Sequence, residues 1–157
     1  MPKMSSIKLL KQNEQPIISI RTKTSVEQLP HLIDESNRKM ATYLNELNET
    51  LSDVPFVAYH DITDNEALDV EIGFPVANPI PEKDEIKAGT IPAGLLIFSM
   101  NRGPYNKMKP LHREMLQGIE KNGFEGTGTV YEYYYNDTSY LEIELLTKII
   151  MPIKQTI

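Results

Sequence analysis

A carboxylate set among phenol rings can hold an organic cation, and the run Tyr131-Glu132-Tyr133-Tyr134-Tyr135 offers that combination. In apolar surroundings a carboxyl group is costly to ionise. A bound cation restores the charge balance, and the rings add cation–π attraction. Such a site selects flat, positively charged organic molecules. If the run is a strand, alternation puts Val130, Glu132 and Tyr134 on one face and Tyr131, Tyr133 and Tyr135 on the other. Only one set of tyrosines can then share a site with Glu132. Ordinary sheet packing accounts for most of the remaining rings, since tyrosine is a good strand former. Glu142 and Glu144 alternate with Ile143, as on an antiparallel strand with one solvated face, and Asp69 and Glu71 invite the same reading.

The other chemistry-bearing residue types form no motif. His31, His60 and His112 lie far apart, without the His-x-x-x-His or carboxylate spacing of a metal site, so no metal and no cofactor is expected. A strand histidine such as His60 is most simply hydrogen-bonded. Gly126-Thr127-Gly128 precedes a strand and lacks the helix terminus that holds a phosphate. Without cysteine there is no thiolate nucleophile or ligand, and no nucleophile elbow can be assembled.

These residues need a scaffold. Ile7–Leu10 and Ile17–Thr22 read as strands of an opening hairpin. Ser25 and Gln28 have capping-box spacing, and Leu29, Leu32, Ile33, Met40, Leu44, Leu47 and Leu51 recur at helical spacing, predicting an amphipathic helix to about residue 51. Strands follow at 55–61 and 68–76, then a proline-rich connector at 78–83. The second half repeats the order: strands at 85–91 and 94–100, a helical stretch from about 104 to 121 ending at Asn122-Gly123, and strands from Thr127 and Leu141 joined by the Asn136-Asp137 turn. Pro110 either kinks that helix or starts it. Val57 to Leu68 and Val130 to Leu141 are both steps of eleven residues, ending in Leu-Asp-Val-Glu-Ile and Leu-Glu-Ile-Glu-Leu, which matches Tyr59 to Glu132. The expected class is therefore α+β: duplicated ββαββ units (5–77 and 84–153) forming a pseudo-two-fold antiparallel sheet domain with two long helices and a central cleft.

At 157 residues and 40% hydrophobic content the chain is sized for one compact domain. A net charge of -6 with scattered basic residues argues against direct nucleic-acid binding and favours cationic partners. No stretch approaches the ~20 apolar residues of a membrane span, and no leader pattern opens the sequence, so a cytoplasmic protein is expected.

Leu68-Asp-Val-Glu-Ile-Gly-Phe-Pro-Val76, Ile91-Pro-Ala-Gly94, Arg102-Gly-Pro-Tyr105, Tyr131-Glu-Tyr133 with Asn136-Asp137, Glu144-Leu-Leu-Thr147 and Pro152-Ile153 together resemble the GyrI-like (gyrase-inhibitor-like) effector-binding family, over nearly the whole chain. The resemblance implies an SHS2-like fold and kinship with the C-terminal sensors of AraC-type and MerR-type multidrug regulators, here in stand-alone form. It implies a small organic ligand, with Glu132 neutralising a lipophilic cation and Tyr134, Tyr59, Phe56, Tyr105, Asn37 and Arg102 lining the cleft. Lys148 and Arg102 depart from the family pattern, and either one pointing inward would leave room for a neutral or anionic ligand. The preferred reading is a non-enzymatic binding module that senses or sequesters its ligand or presents its surface to a protein partner. The alternatives are a hydrolase of strained electrophilic natural products with Glu132 as general base, and a DNA gyrase inhibitor acting by protein–protein contact.

Overall fold

A computed structural model describes residues 8–61, 68–103, 108–135 and 145–156. Its elements run β1 (Lys8–Gln12), β2 (Gln15–Thr24), α1 (Leu29–Glu46), β3 (Phe56–Asp61), β4 (Leu68–Pro75), β5 (Lys87–Ile91), β6 (Gly94–Arg102), α2 (Met108–Lys121), β7 (Phe124–Gly126), β8 (Val130–Tyr134) and β9 (Leu146–Gln155). This is an α+β fold with antiparallel pairing throughout the described strands. It divides into two compact units, Asn13–Ala93 and a second made of Met1–Gln12 with Gly94–Ile157.

In the unit Asn13–Ala93 the strands lie in the order β3, β4, β2, β5. Alternation gives the sheet one apolar face, with Ile18 and Ile20 of β2, Val70 and Ile72 of β4 and Val57 of β3 all buried. Helix α1 packs on β2 and β4 and buries Met40, Tyr43 and Leu44. Ser25 Oγ accepts from the Gln28 N–H at 3.2 Å, holding the turn before the helix, and Pro30 sits where its missing N–H costs nothing. The helix stops at Glu46, short of Leu51. Asn48 takes φ 56°, Glu49 N–H donates to Leu44 O at 2.9 Å and Asn48 N–H donates to Asn45 O at 3.2 Å, which is a Schellman stop. The apolar spacing runs past that stop, and Leu47 and Leu51 are left exposed.

In the second unit the order is β8, β9, β6, β1, with β7 paired to the far end of β9. The expected opening hairpin does not form. Strand β1 pairs with β6, setting Leu9 opposite Ile97 and Leu10 opposite Leu96, while β4 and β5 take the two edges of β2. Sequential strands pair or neighbour roughly two-thirds of the time, and β1 and β2 are an exception. Helix α2 begins at Met108, so Pro110 falls in its first turn, where the proline neither kinks the helix nor starts it. It ends at Asn122-Gly123 as expected, with Gly123 at φ 84°. Strand β8 pairs with β9 at 147–150, and the expected Leu141–Glu144 stretch and its Asn136-Asp137 turn lie outside the described residues. No helix among the described residues is long and apolar enough to cross a membrane.

Candidate functional site

Strand β8 carries Val130 to Tyr134, and the branched and aromatic residues there suit a buried strand. Alternation places Glu132 and Tyr134 on one face, and Tyr134 Oη donates to Glu132 Oε1 at 2.7 Å. Glu132 is only 4% exposed. Its second oxygen, Oε2, lies 2.9 Å from His112 Nε2 on α2. That contact is close enough for an ion pair when the imidazole is protonated, although its direction is not that of an N–H hydrogen bond. The carboxylate is thus flanked by a phenol from its own strand and an imidazole from the helix above. His112 stands three and seven residues before Met115 and Ile119, both buried, so the helical stripe that covers the sheet also delivers the imidazole.

The same face continues across β9 and β6. Tyr134 stands opposite Thr147, and Thr147 opposite Asn101; Glu132 stands opposite Ile149, and Ile149 opposite Ser99. Opposed residues of an antiparallel pair share a face, so Ser99, Asn101 and Thr147 belong to the surface that holds Glu132. All three are buried, at 0%, 1% and 0% exposure. Burying a row of polar side chains is costly, and nothing in the sequence singled it out. A cavity of about 500 Å³ lined by Leu9, Ile97, Ile119 and Ile153 lies further along the same face, and one of about 480 Å³ in the other unit is lined by Arg38, Tyr43 and Lys83.

Lys148 does not answer Glu132. It stands opposite Tyr133, on the other face of the sheet, with its ammonium 4.5 Å from the centre of that ring. Arg102 is exposed at the end of β6. Tyr105 lies outside the described residues. The remaining candidates belong to the unit Asn13–Ala93. Phe56 and Tyr59 are three residues apart on β3, so they point to opposite faces and cannot line one side of that sheet together. Phe56 is buried with its ring over Gly73. Asn37, on α1, has a buried Oδ1 without a hydrogen-bond partner among the described residues. Within the unit that holds Glu132, the described residues bring Glu132 and Tyr134 together, and His112 is the contact that the sequence reading missed.

A half-buried carboxylate, Glu71, lies in the unit Asn13–Ala93. Glu71 accepts from Ser19 Oγ at 2.5 Å and lies 2.8 Å from His60 Nε2, so it is a paired group and not the solvated acid expected from alternation. Burial pushes its carboxyl pKa up, but the bonds from His60 and Ser19 outweigh that and hold it below the usual value. His60 is hydrogen-bonded, as expected of an isolated strand histidine. Asp69 is likewise engaged, by a two-pronged ion pair with Arg21 at 3.0 and 2.8 Å whose hydrogen bonds draw its pKa down. Among the described residues no group of three or more His, Asp or Glu side chains is placed to hold a metal ion.

Residues 5–154 match the model of the GyrI-like small molecule binding domain. The chain belongs to that family. No curated protein matches it. Among solved structures it is similar to the C-terminal domain of EcmrR, with a TM-score of 0.84 and 21% identity over 97% of this chain and 99% of that one. It spans 57% of the EcmrR chain seen in a complex with DNA. It is also similar to a hydrolase from Listeria innocua, with a TM-score of 0.70 and 13% identity over 98% of this chain and 94% of that one. SAV2435 bound to tetraphenylphosphonium is more distant, with a TM-score of 0.59 and 11% identity over 96% of this chain and 94% of that one.

Proposed function

We propose that this domain binds a lipophilic organic cation at Glu132 without transforming it, acting as a sensor or a sequestering protein. One observation carries the reading: a carboxylate 4% exposed, gripped by the Tyr134 phenol and His112 alone among the described residues. A buried carboxylate with a single well-aligned hydrogen bond keeps unused acceptor capacity, and a cation is the partner that best fills it. The binding of tetraphenylphosphonium by SAV2435 supports this class of ligand. The placement of Lys148 on the opposite face and the exposure of Arg102 support it further, because neither supplies a competing charge at Glu132. Isothermal titration with tetraphenylphosphonium tests it: Glu132→Gln is expected to weaken binding at least tenfold, and equal affinity of the two proteins sinks the reading.

The hydrolase alternative draws on the Listeria similarity and on the phenol beside Glu132, which could protonate a leaving oxygen. A general base also needs a water molecule, and Glu132 is buried. Incubation with a strained electrophile and mass spectrometry separates the readings, since water addition abolished by Glu132→Gln favours the enzyme. The duplication proposed from sequence gains support from the matching order of strands within the two units, β3-β4-β2-β5 and β8-β9-β6-β1.

A further inference from the structure

We propose that Asn101 and Thr147 form a second, uncharged subsite beside Glu132, which recognises a hydrogen-bond-accepting oxygen on the same ligand. The inference rests on the reading of Glu132 as a cation site and adds a ligand class to it: organic cations that also carry a carbonyl group.

Asn101 Nδ2 and Thr147 Oγ1 are buried and have no hydrogen-bond partner among the described residues. Their residues are 1% and 0% exposed. Such groups are rare, because an unpaired buried donor or hydroxyl costs about 1–3 kcal/mol in folded proteins. The two stand directly opposite each other on β6 and β9. A carboxamide and a hydroxyl so placed would ordinarily bond to each other. Here they do not, so both are left for a third group. The row continues to Tyr134, opposite Thr147, whose hydroxyl bonds Glu132. One face of three adjacent strands thus runs from a carboxylate, through a phenol, to a free hydroxyl and a free amide donor.

The polarity of the row defines the ligand. Asn101 Nδ2 can only donate, and a threonine hydroxyl can donate as well. The matching group is an acceptor without a charge of its own, a carbonyl oxygen above all. Strand β9, which carries Thr147, is one spacing from β8 and β6 is two, roughly 5 and 10 Å between backbones, so the carbonyl and the cationic centre are joined by a linker of a few atoms. Lipophilic cations without an oxygen would fill the Glu132 end alone.

Two matched probes test this by calorimetry on the full chain: benzoylcholine, with an ester carbonyl, and 4-phenylbutyltrimethylammonium, with methylenes in its place. The wild-type protein is expected to bind benzoylcholine at least tenfold more tightly. Asn101→Leu and Thr147→Val should each bring that ratio to within about threefold of unity while leaving the affinity for the alkyl probe within twofold. Each variant should also raise Tm by a few degrees, because it removes an unpaired buried group. A residue with a merely structural role would lower Tm. A ratio near unity in the wild-type protein, or one unchanged in both variants, overturns the subsite. Glu132→Gln is expected to weaken both probes alike. If it changes neither while the ratio still responds to Asn101→Leu, the subsite stands and the cation site at Glu132 falls. Failure of both probes to bind overturns both.

Discussion

His112 Nε2 lies 2.9 Å from Glu132 Oε2, so a helix side chain already occupies the oxygen that an incoming cation would seek. Ligand and imidazole compete for one carboxylate. Replacing His112 with alanine should therefore move two observables in opposite directions. Folding stability measured in urea should fall by about 1–3 kcal/mol, the usual result of stripping a partner from a buried polar group. Affinity for tetraphenylphosphonium should rise several-fold. Weaker binding by a folded His112→Ala protein would mean that the imidazole helps to hold the ligand.

Tyr134 plays a different part, because its hydroxyl makes the one well-aligned hydrogen bond to Glu132 among the described residues. Hydrogen bonds to charged groups contribute about 1.5–3 kcal/mol, and Tyr134→Phe should cost stability within that range. The ring remains, so stacking on an aromatic cation should be kept. A urea midpoint unchanged by Tyr134→Phe would show that the carboxylate finds another partner.

Lys148 serves as the control for the face assignment. Its ammonium lies 4.5 Å from the Tyr133 ring centre, across the sheet from Glu132. Lys148→Gln should cost about 0.5–1 kcal/mol of stability through the lost cation–π contact, and should leave the Kd for a lipophilic cation within a factor of two. A tenfold gain in cation affinity would mean that the ammonium faces Glu132.

Phe56 tests a packing contact within the unit Asn13–Ala93. Its ring lies against Gly73, and a Cβ built there would approach the ring atoms inside 3.0 Å. Phe56 is 1% exposed, so its ring cannot swing out to solvent without losing its buried contacts. Gly73→Ala should destabilise the fold by about 1–3 kcal/mol, the range of overpacked cores, in a chemical denaturation experiment. Phe56→Leu in the same background should recover part of that loss.

The sequence made Glu132, Tyr134 and the split of the tyrosines legible because period-two alternation needs only that β8 be a strand. Both helices were legible from their apolar stripes, and the end of α2 from Asn122-Gly123. The end of α1 was not, because Leu47 and Leu51 keep the helical spacing beyond the turn at Asn48. His112 escaped notice for a related reason. A histidine on a helical stripe reads as ordinary core filling until the register of β8 sets a carboxylate beneath it. The row of Ser99, Asn101 and Thr147 depends on pairings between strands distant in sequence, and the partnership of β1 with β6 shows how local order can mislead about such pairings. Long-range register is set by whole faces matching one another, and no single segment contains it.

Glu71 predicts how the fold responds to acid. Burial by itself raises its carboxyl pKa, but the bonds from His60 and Ser19 overcome that and hold it below the ordinary value of 4.5. A carboxyl with a lowered folded-state pKa binds protons more weakly when folded than when unfolded. Its stabilising contribution is therefore complete above pH 4.5 and is lost as the pH falls through the folded value. Asp69, lowered mainly by its hydrogen bonds to Arg21, acts in the same direction below its ordinary value of 3.8. Urea midpoints measured from pH 6 down to pH 3 should fall most steeply below about pH 4.5. Glu71→Gln should make that fall shallower while lowering the midpoint at pH 6, because the amide removes both the titration and the charge facing His60. A variant that keeps the full acid slope would transfer the effect to other carboxylates and leave the cluster of Ser19, Glu71 and His60 as packing alone.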